Sequence, residues 1–244
     1  MATVPDPAVR RALQAQWALL VVAFADTDQV APSRISGWTM ADLERHVSQT
    51  GASLGRLAAG PPAEGPPTGL REWAAALPGL RDQIADRTFS QSAPPLAEMA
   101  PATLAALDTA DPGKPIRQLT GIHRLADATL FRLIEAVVHA LDLADPPVPD
   151  RNAQRIVVRA LADLLASLAP GRSVELRIPP VAAVQLISGP RHTRGTPPGV
   201  VEIDPATFLR LATGRLRWAE AAEHGRLRAS GERTDLSPYL PLLR

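Results

Sequence analysis

Cysteine is absent from the 244 residues, which excludes disulfide staples, a thiolate nucleophile and any Cys-ligated zinc or iron–sulfur site. Any thiol chemistry must therefore borrow its thiol from a small molecule. Charge excess is missing as well. Lys+Arg number 26 against 25 Asp+Glu, a formal net charge of +1, without the basic surplus that phosphate recognition needs; no nucleic-acid partner is expected. Lysine is reduced to Lys114, between Gly113 and Pro115 in a predicted turn, so Schiff-base chemistry has a single candidate. No run reaches the ~20 apolar residues of a membrane span. Arg10-Arg11 followed by Ala18–Ala25 imitates a secretory signal. Leu13, Trp17, Leu20 and Phe24 stand at helical spacing, however, and Asp6, Gln14 and Gln16 break the signal pattern. The segment reads as an amphipathic first helix, and a cytoplasmic location is expected.

The length and a 45% hydrophobic content allow two domains, with a boundary expected at 148/149. Residues 1–148 read as helices separated by proline-rich loops. The predicted helices are Asp6–Asp26, Thr39–Ala58 (opened by a Thr39…Asp42 capping box), Leu70–Asp86 with a kink at Pro78, and Thr120–Leu143. Between Gln91 and Gln118 five prolines leave room for at most a short helix over Ala102–Leu107. The pattern predicts an all-α four-helix bundle. Residues 149–244 change character. A helix over Arg151–Leu168 precedes Val/Ile-rich strands at Val174–Ile178, Val181–Ser188 and Val200–Ile203. Asp204-Pro205 then opens a helix that Gly214 closes, and a short helix (Trp218–His224) and a strand (Arg226–Ala229) complete an α+β domain.

Leu130–Leu143 carries the most chemistry. Only Arg132, Glu135, His139 and Asp142 are polar there, and the other ten residues are apolar. At about 100° per residue the four fall within an arc of ~80°, and a backward extension of the helix adds Arg124 to the stripe. Such a seam is either enclosed or a narrow solvent stripe holding an Arg132–Glu135 pair. If enclosed, Glu135 and His139, one turn apart, can converge on one ion. His46, between Leu43 and Val47 on the apolar side of the second helix, is either a hydrogen-bonded core residue or a third ligand. Two imidazoles and a carboxylate suit zinc or a similar divalent ion, leaving open positions for water or substrate. Asp42 and Asp142 could orient the ligands from behind, and Asp42 could equally serve only as a cap. His123 points away from the seam and reads as structural, His224 as the end of a short helix, and His192 in Arg191–Arg194 as a solvated hairpin tip.

Gly37-Trp38-Thr39, Ala41-Asp42-Leu43 with His46, and Glu135-x-x-x-His139-x-x-Asp142-Leu143 together resemble the mycothiol-dependent maleylpyruvate isomerase family. That family belongs to the DinB-like group of four-helix metal proteins found in actinobacteria. The stretches Ile203–Arg215, Gly225–Gly231 and Leu240–Leu243 resemble a sterol-carrier-protein-like domain. The resemblance implies metal ligands His46, Glu135 and His139, with zinc the expected ion. It also implies a catalytic Arg215 that receives a substrate carboxylate through its two-pronged donor geometry. The proline-rich C-terminal part and the long Arg191–Gly199 connection depart from the pattern and leave the substrate open.

The implied activity is a metal-dependent isomerase or S-transferase using mycothiol on a small anionic substrate. The thiolate adds to an activated double bond, rotation follows, and elimination returns the thiol, with the ion lowering the thiol pKa or polarising a carbonyl. Two alternatives compete with it. One is a carrier of lipid or another hydrophobic ligand with a structural metal bundle; the other is a metal-stabilised interaction module.

Overall fold

The computed structural model describes residues 6–189 and 198–243. They divide into two compact units, one ending at Ala153 and the other beginning at Gln154. The first unit runs α1 (Asp6–Ala25), α2 (Met40–Ala59), α3 (Leu70–Ala76), α4 (Arg81–Ser90), α5 (Leu96–Thr109), β1 (Pro115–Gln118), β2 (Gly121–Arg124) and α6 (Leu125–Ala140). Helices α1, α2, α5 and α6 form the bundle: α1 and α2 each lie against both α5 and α6. On α1 the expected stripe of Leu13, Trp17, Leu20 and Phe24 is buried throughout. Helix α2 opens with the expected capping box, in which Thr39 Oγ1 accepts from Asp42 N and Asp42 Oδ2 accepts from Thr39 N.

The bundle recruits a different third helix from the one the sequence predicts. Leu70–Asp86 is broken by a 3₁₀ turn over Leu77–Leu80 around Pro78, and Leu77 and Leu80 are only half-buried. The fourth wall is α5, a 14-residue helix with Pro101 inside it, where at most six helical residues were expected. Pro101 removes one backbone donor. Burial of Leu96, Met99, Ala100, Thr103 and Leu107 outweighs that loss, because apolar area against α2 stabilises the helix as a whole. Gly51 and Gly55 of α2 make the approach close enough. A Cβ at Gly51 would stand 2.4 Å from the Met99 sulfur, one at Gly55 3.2 Å from the Thr103 Cα, and Thr103 Oγ1 donates to the Gly51 carbonyl at 3.1 Å.

The helix expected from Thr120 starts five residues later. Residues 115–124 instead form an antiparallel hairpin with Gln118 opposite Gly121, where Gly121 takes φ +128°. Arg124 consequently ends β2 in an extended conformation and is exposed, so it does not join the seam. At its other end α6 stops at Ala140, and the Leu141 and Asp142 amides bond back three residues to Val138 and His139. Lys114 serves structure: its Nζ donates to the Ala58 carbonyl and, at 2.9 Å, to that of Gly60, closing the end of α2.

The second unit begins within α7 (Arg151–Leu168) and continues through β3 (Val174–Ile178), β4 (Ala182–Leu186), β5 (Gly199–Ile203), α8 (Pro205–Ala212), α9 (Trp218–Glu223) and β6 (Leu227–Gly231). The sheet order is β4-β3-β5-β6, with β3 and β5 parallel and both outer pairings antiparallel. On β3 and β5 every second residue is buried, the period of a half-covered sheet. Asp204 caps α8 by accepting from the amides of Ala206 and Thr207. This is the α+β architecture expected from the sequence. His192 and the connection around it lie outside the described residues. Among the described residues no helix is long and apolar enough to cross a membrane.

Candidate functional site

The buried face of α2 carries Leu43, Val47, Leu54 and Ala58, and His46 shares it with 7% of its surface exposed. Three groups surround its ring. Trp38 meets it edge-on at a centroid distance of 5.3 Å and in turn touches Phe89 at 5.7 Å. Thr88 of α4 places Oγ1 3.2 Å from His46 Nδ1. His139 of α6 approaches from the third side, ring centroids 5.1 Å apart and planes at 86°. Burial first, then the His139 ring and the Arg132 guanidinium, holds His46 well below the ordinary imidazole pKa, with Asp142 opposing the shift. His46 is thus neutral, the form that ligates metals.

The seam on α6 is enclosed, which decides between the two readings its narrowness left open. Arg132 and Asp142 are buried, and Glu135 and His139 nearly so. His139 Nδ1 lies 3.0 Å from Asp142 Oδ2. The turn presenting Asp142 is itself pinned, since Arg34 donates through N to the Asp142 carbonyl at 2.8 Å and through Nε to the Leu143 carbonyl at 3.2 Å. Arg132 and Glu135, one turn apart, form an ion pair between a terminal guanidinium nitrogen and Oε2. Arg132 Nε and Glu135 Oε2 are buried without a hydrogen-bond partner, so this contact is ionic without hydrogen-bond alignment.

His46, His139 and Asp142 are therefore brought together, and Glu135 stands one turn from His139 with its carboxylate engaged by Arg132. The donor types fit a divalent ion: two imidazoles side by side, each with Nδ1 committed to the protein, and a carboxylate oxygen lacking a hydrogen bond. Among the described residues no three His, Asp or Glu side chains are gathered into a ready-made metal cluster. Asp42 is spent on the cap and on Arg45, at 2.7 Å. His123 is structural, fully buried, its Nδ1 3.0 Å from the Thr68 carbonyl and its ring edge-on to Phe131. His224 is exposed, with Nδ1 2.8 Å from the Glu220 carbonyl. Arg215, in the second unit, donates through Nη1 to the Thr213 carbonyl at 2.6 Å. Thr88 was missed from the sequence, where nothing distinguishes it from the five other uncharged residues of α4.

Residues 10–144, which include His46, Thr88, Arg132, Glu135, His139 and Asp142, match the family model described as mycothiol maleylpyruvate isomerase N-terminal domain. The chain belongs to this family. Residues 150–242 match a second model, described as bacterial SCP ortholog, in agreement with the expected sterol-carrier-like partner. Among solved structures, a histidine-to-alanine mutant of the mycothiol-dependent maleylpyruvate isomerase matches with a TM-score of 0.58 at 18% identity, over 95% of this chain and 97% of that one. A second crystal structure of the mycothiol-dependent maleylpyruvate isomerase matches with a TM-score of 0.55 at 18% identity, over 88% and 93%. At that identity the likeness is one of fold. None of the curated proteins compared with the chain matches it.

Proposed function

We propose that this family member is a metal-dependent, mycothiol-using isomerase or S-transferase acting on a small anionic substrate. His46, Glu135 and His139 are its proposed metal ligands and zinc its ion. The observation that carries the reading is the meeting of His46 and His139 inside a closed polar seam, each ring with Nδ1 already engaged. Imidazoles so held offer Nε2, and two of them with one carboxylate leave coordination positions for water or substrate. When bound, the ion would favour the thiolate or polarise a carbonyl, and the thiol would supply reversible addition to an activated double bond.

The chain's own residues set the conditions for that chemistry. Asp142 holds the His139 ring in one orientation. Burial keeps His46 neutral. Arg132 balances the Glu135 charge inside the seam, so guanidinium and cation compete for one carboxylate. Arg215 is the proposed receiver of the substrate carboxylate, its guanidinium tied to the last turn of α8 through Thr213.

The test is metal analysis of protein purified without chelators, joined to an assay of maleylpyruvate isomerisation with and without mycothiol. One ion per chain and turnover only with the thiol are expected. Thiol consumption with a different acceptor would select the transferase. Metal-free protein, with no thiol-dependent turnover even after zinc is added, would overturn the reading in favour of a carrier.

A further inference from the structure

Helix α4 is ten residues long, and Thr88 is its only buried residue. A threonine hydroxyl has one proton and two lone pairs. The proton is committed, because Oγ1 donates to the Ile84 carbonyl one turn back at 2.9 Å. What faces His46 Nδ1 across 3.2 Å is therefore a lone pair. Only an Nδ1 that carries hydrogen can meet a lone pair favourably, and a neutral imidazole carries just one such hydrogen. Nε2 of His46 is then a bare acceptor. Among the described residues no protein group hydrogen-bonds to it.

We infer that Thr88 is a positioning residue, which fixes His46 as its Nδ1–H tautomer and so reserves the Nε2 lone pair for the seam. The assignment of Nε2 to an ion rests on the proposed function; the hold on the tautomer does not. Thr88 itself is kept in place by the same helix that carries the histidine. Gln49 Nε2 donates to the Arg87 carbonyl at 3.2 Å and to that of Gln91 at 2.6 Å, and Ser48 Oγ donates to the Pro94 carbonyl at 2.5 Å. α4 has little apolar anchorage of its own, since Ile84 is half-buried and Phe89 is 53% exposed. These polar bonds from α2 fix its C-terminal end, and with it the distance from Thr88 to His46. The arrangement parallels the far side of the pair. There the Asp142 carboxylate, an acceptor only, faces His139 Nδ1.

The experiment is a long-range ¹H–¹⁵N correlation spectrum of the imidazoles in metal-free protein, for the wild type, Thr88→Val and Thr88→Ser. With five histidines in the chain, single His→Gln variants assign the signals. Wild type and Thr88→Ser should show His46 in the Nδ1–H pattern. Thr88→Val, which replaces the hydroxyl by a methyl of similar size, should lose that pattern while His139 keeps its own. In a chelator competition Thr88→Val should bind zinc about 10-fold more weakly, the usual lower limit for losing a partner behind a histidine ligand, and Thr88→Ser should restore the affinity. If Thr88→Val does not fold, the wild-type and Thr88→Ser spectra still decide. An Nε2–H His46 in wild type, or an unchanged tautomer in folded Thr88→Val, overturns the inference. An Nδ1–H pattern that depends on Thr88, in a protein that binds no zinc, upholds the hold on the ring and removes the metal reading instead.

Discussion

The imidazoles of His46 and His139 meet nearly at right angles with their centroids 5.1 Å apart, one ring from α2 and one from α6. Two protonated rings at that separation would repel each other, and the Arg132 guanidinium adds a third positive charge. His46, the more deeply buried ring, resolves the conflict by remaining neutral. His46 therefore enters the seam as an uncharged imidazole.

This neutrality predicts how the metal-free protein responds to acid. The folded-state pKa of His46 is depressed, whereas the unfolded chain titrates near its ordinary value of about 6.5. Between those two values the unfolded state binds more protons, so stability falls as pH falls through that window. The urea midpoint should drop as the pH is lowered below about 6.5. His46→Gln, which cannot titrate, should flatten the profile. Identical profiles for the two proteins would remove His46 as the source of the pH dependence.

Ligand and bystander histidines should separate cleanly. Zinc at about 100 times Kd should stabilise the wild type by ~2.7 kcal/mol, roughly 5–10 °C in Tm for a chain of this size. His46→Ala and His139→Ala should each abolish most of that shift. His123→Ala should retain it while melting at a lower starting temperature, because it empties a fully buried, hydrogen-bonded position. An equal zinc response in all three variants would leave only a polar seam on a core helix.

The seam was legible because periodicity alone restricts four polar residues to one narrow stripe, and ten apolar neighbours leave that stripe no broad path to water. His46 was legible for the same reason, as a polar residue on an otherwise apolar face. Helix α5 was not. Pro101 reads as a breaker, and its compensation comes from tertiary burial and from two glycines on another helix, neither of which local propensity records. The β1–β2 hairpin hid behind a helical pattern in the same way, with Gly121 as the only cue. Thr88 sits on a short surface helix, and nothing in its neighbours marks it as a partner for a residue on α2.

The close packing of α2 on α5 is itself testable. Gly51→Val would place branched atoms where even a Cβ comes within 2.4 Å of Met99 and 3.2 Å of Trp17. Overpacking of this kind costs about 1–3 kcal/mol. Thermal melts should show the loss, and an unaltered Tm would mean that α5 does not approach α2 at Gly51.

Arg215 is tested through the split between KM and kcat. Arg215→Ala should raise KM for an anionic substrate such as maleylpyruvate while leaving metal content at the wild-type level. Arg215→Lys should recover only part of the loss, because an ammonium cannot reproduce the two parallel donors of a guanidinium. A wild-type KM in Arg215→Ala would take this residue out of the site.

Glu135→Gln is the most discriminating substitution, because it keeps the side chain's size and removes only its charge. Glu135 now pairs with Arg132, and both are enclosed. In the metal-free protein the substitution strands the Arg132 charge, and breaking a buried pair in this way destabilises by roughly 3–5 kcal/mol. Partial exposure of the Glu135 side chain, 18%, places the expected loss at or below the low end of that range. Zinc should then stabilise the variant far less than the wild type, since the proposed ligand set loses its one carboxylate and with it the charge that offsets the ion's. A purely structural Arg132–Glu135 pair predicts a different outcome: a lower Tm without zinc, and the same zinc-induced shift as the wild type. Melts of both proteins across a zinc titration separate the two, and a full-sized shift in Glu135→Gln would exclude Glu135 as a ligand.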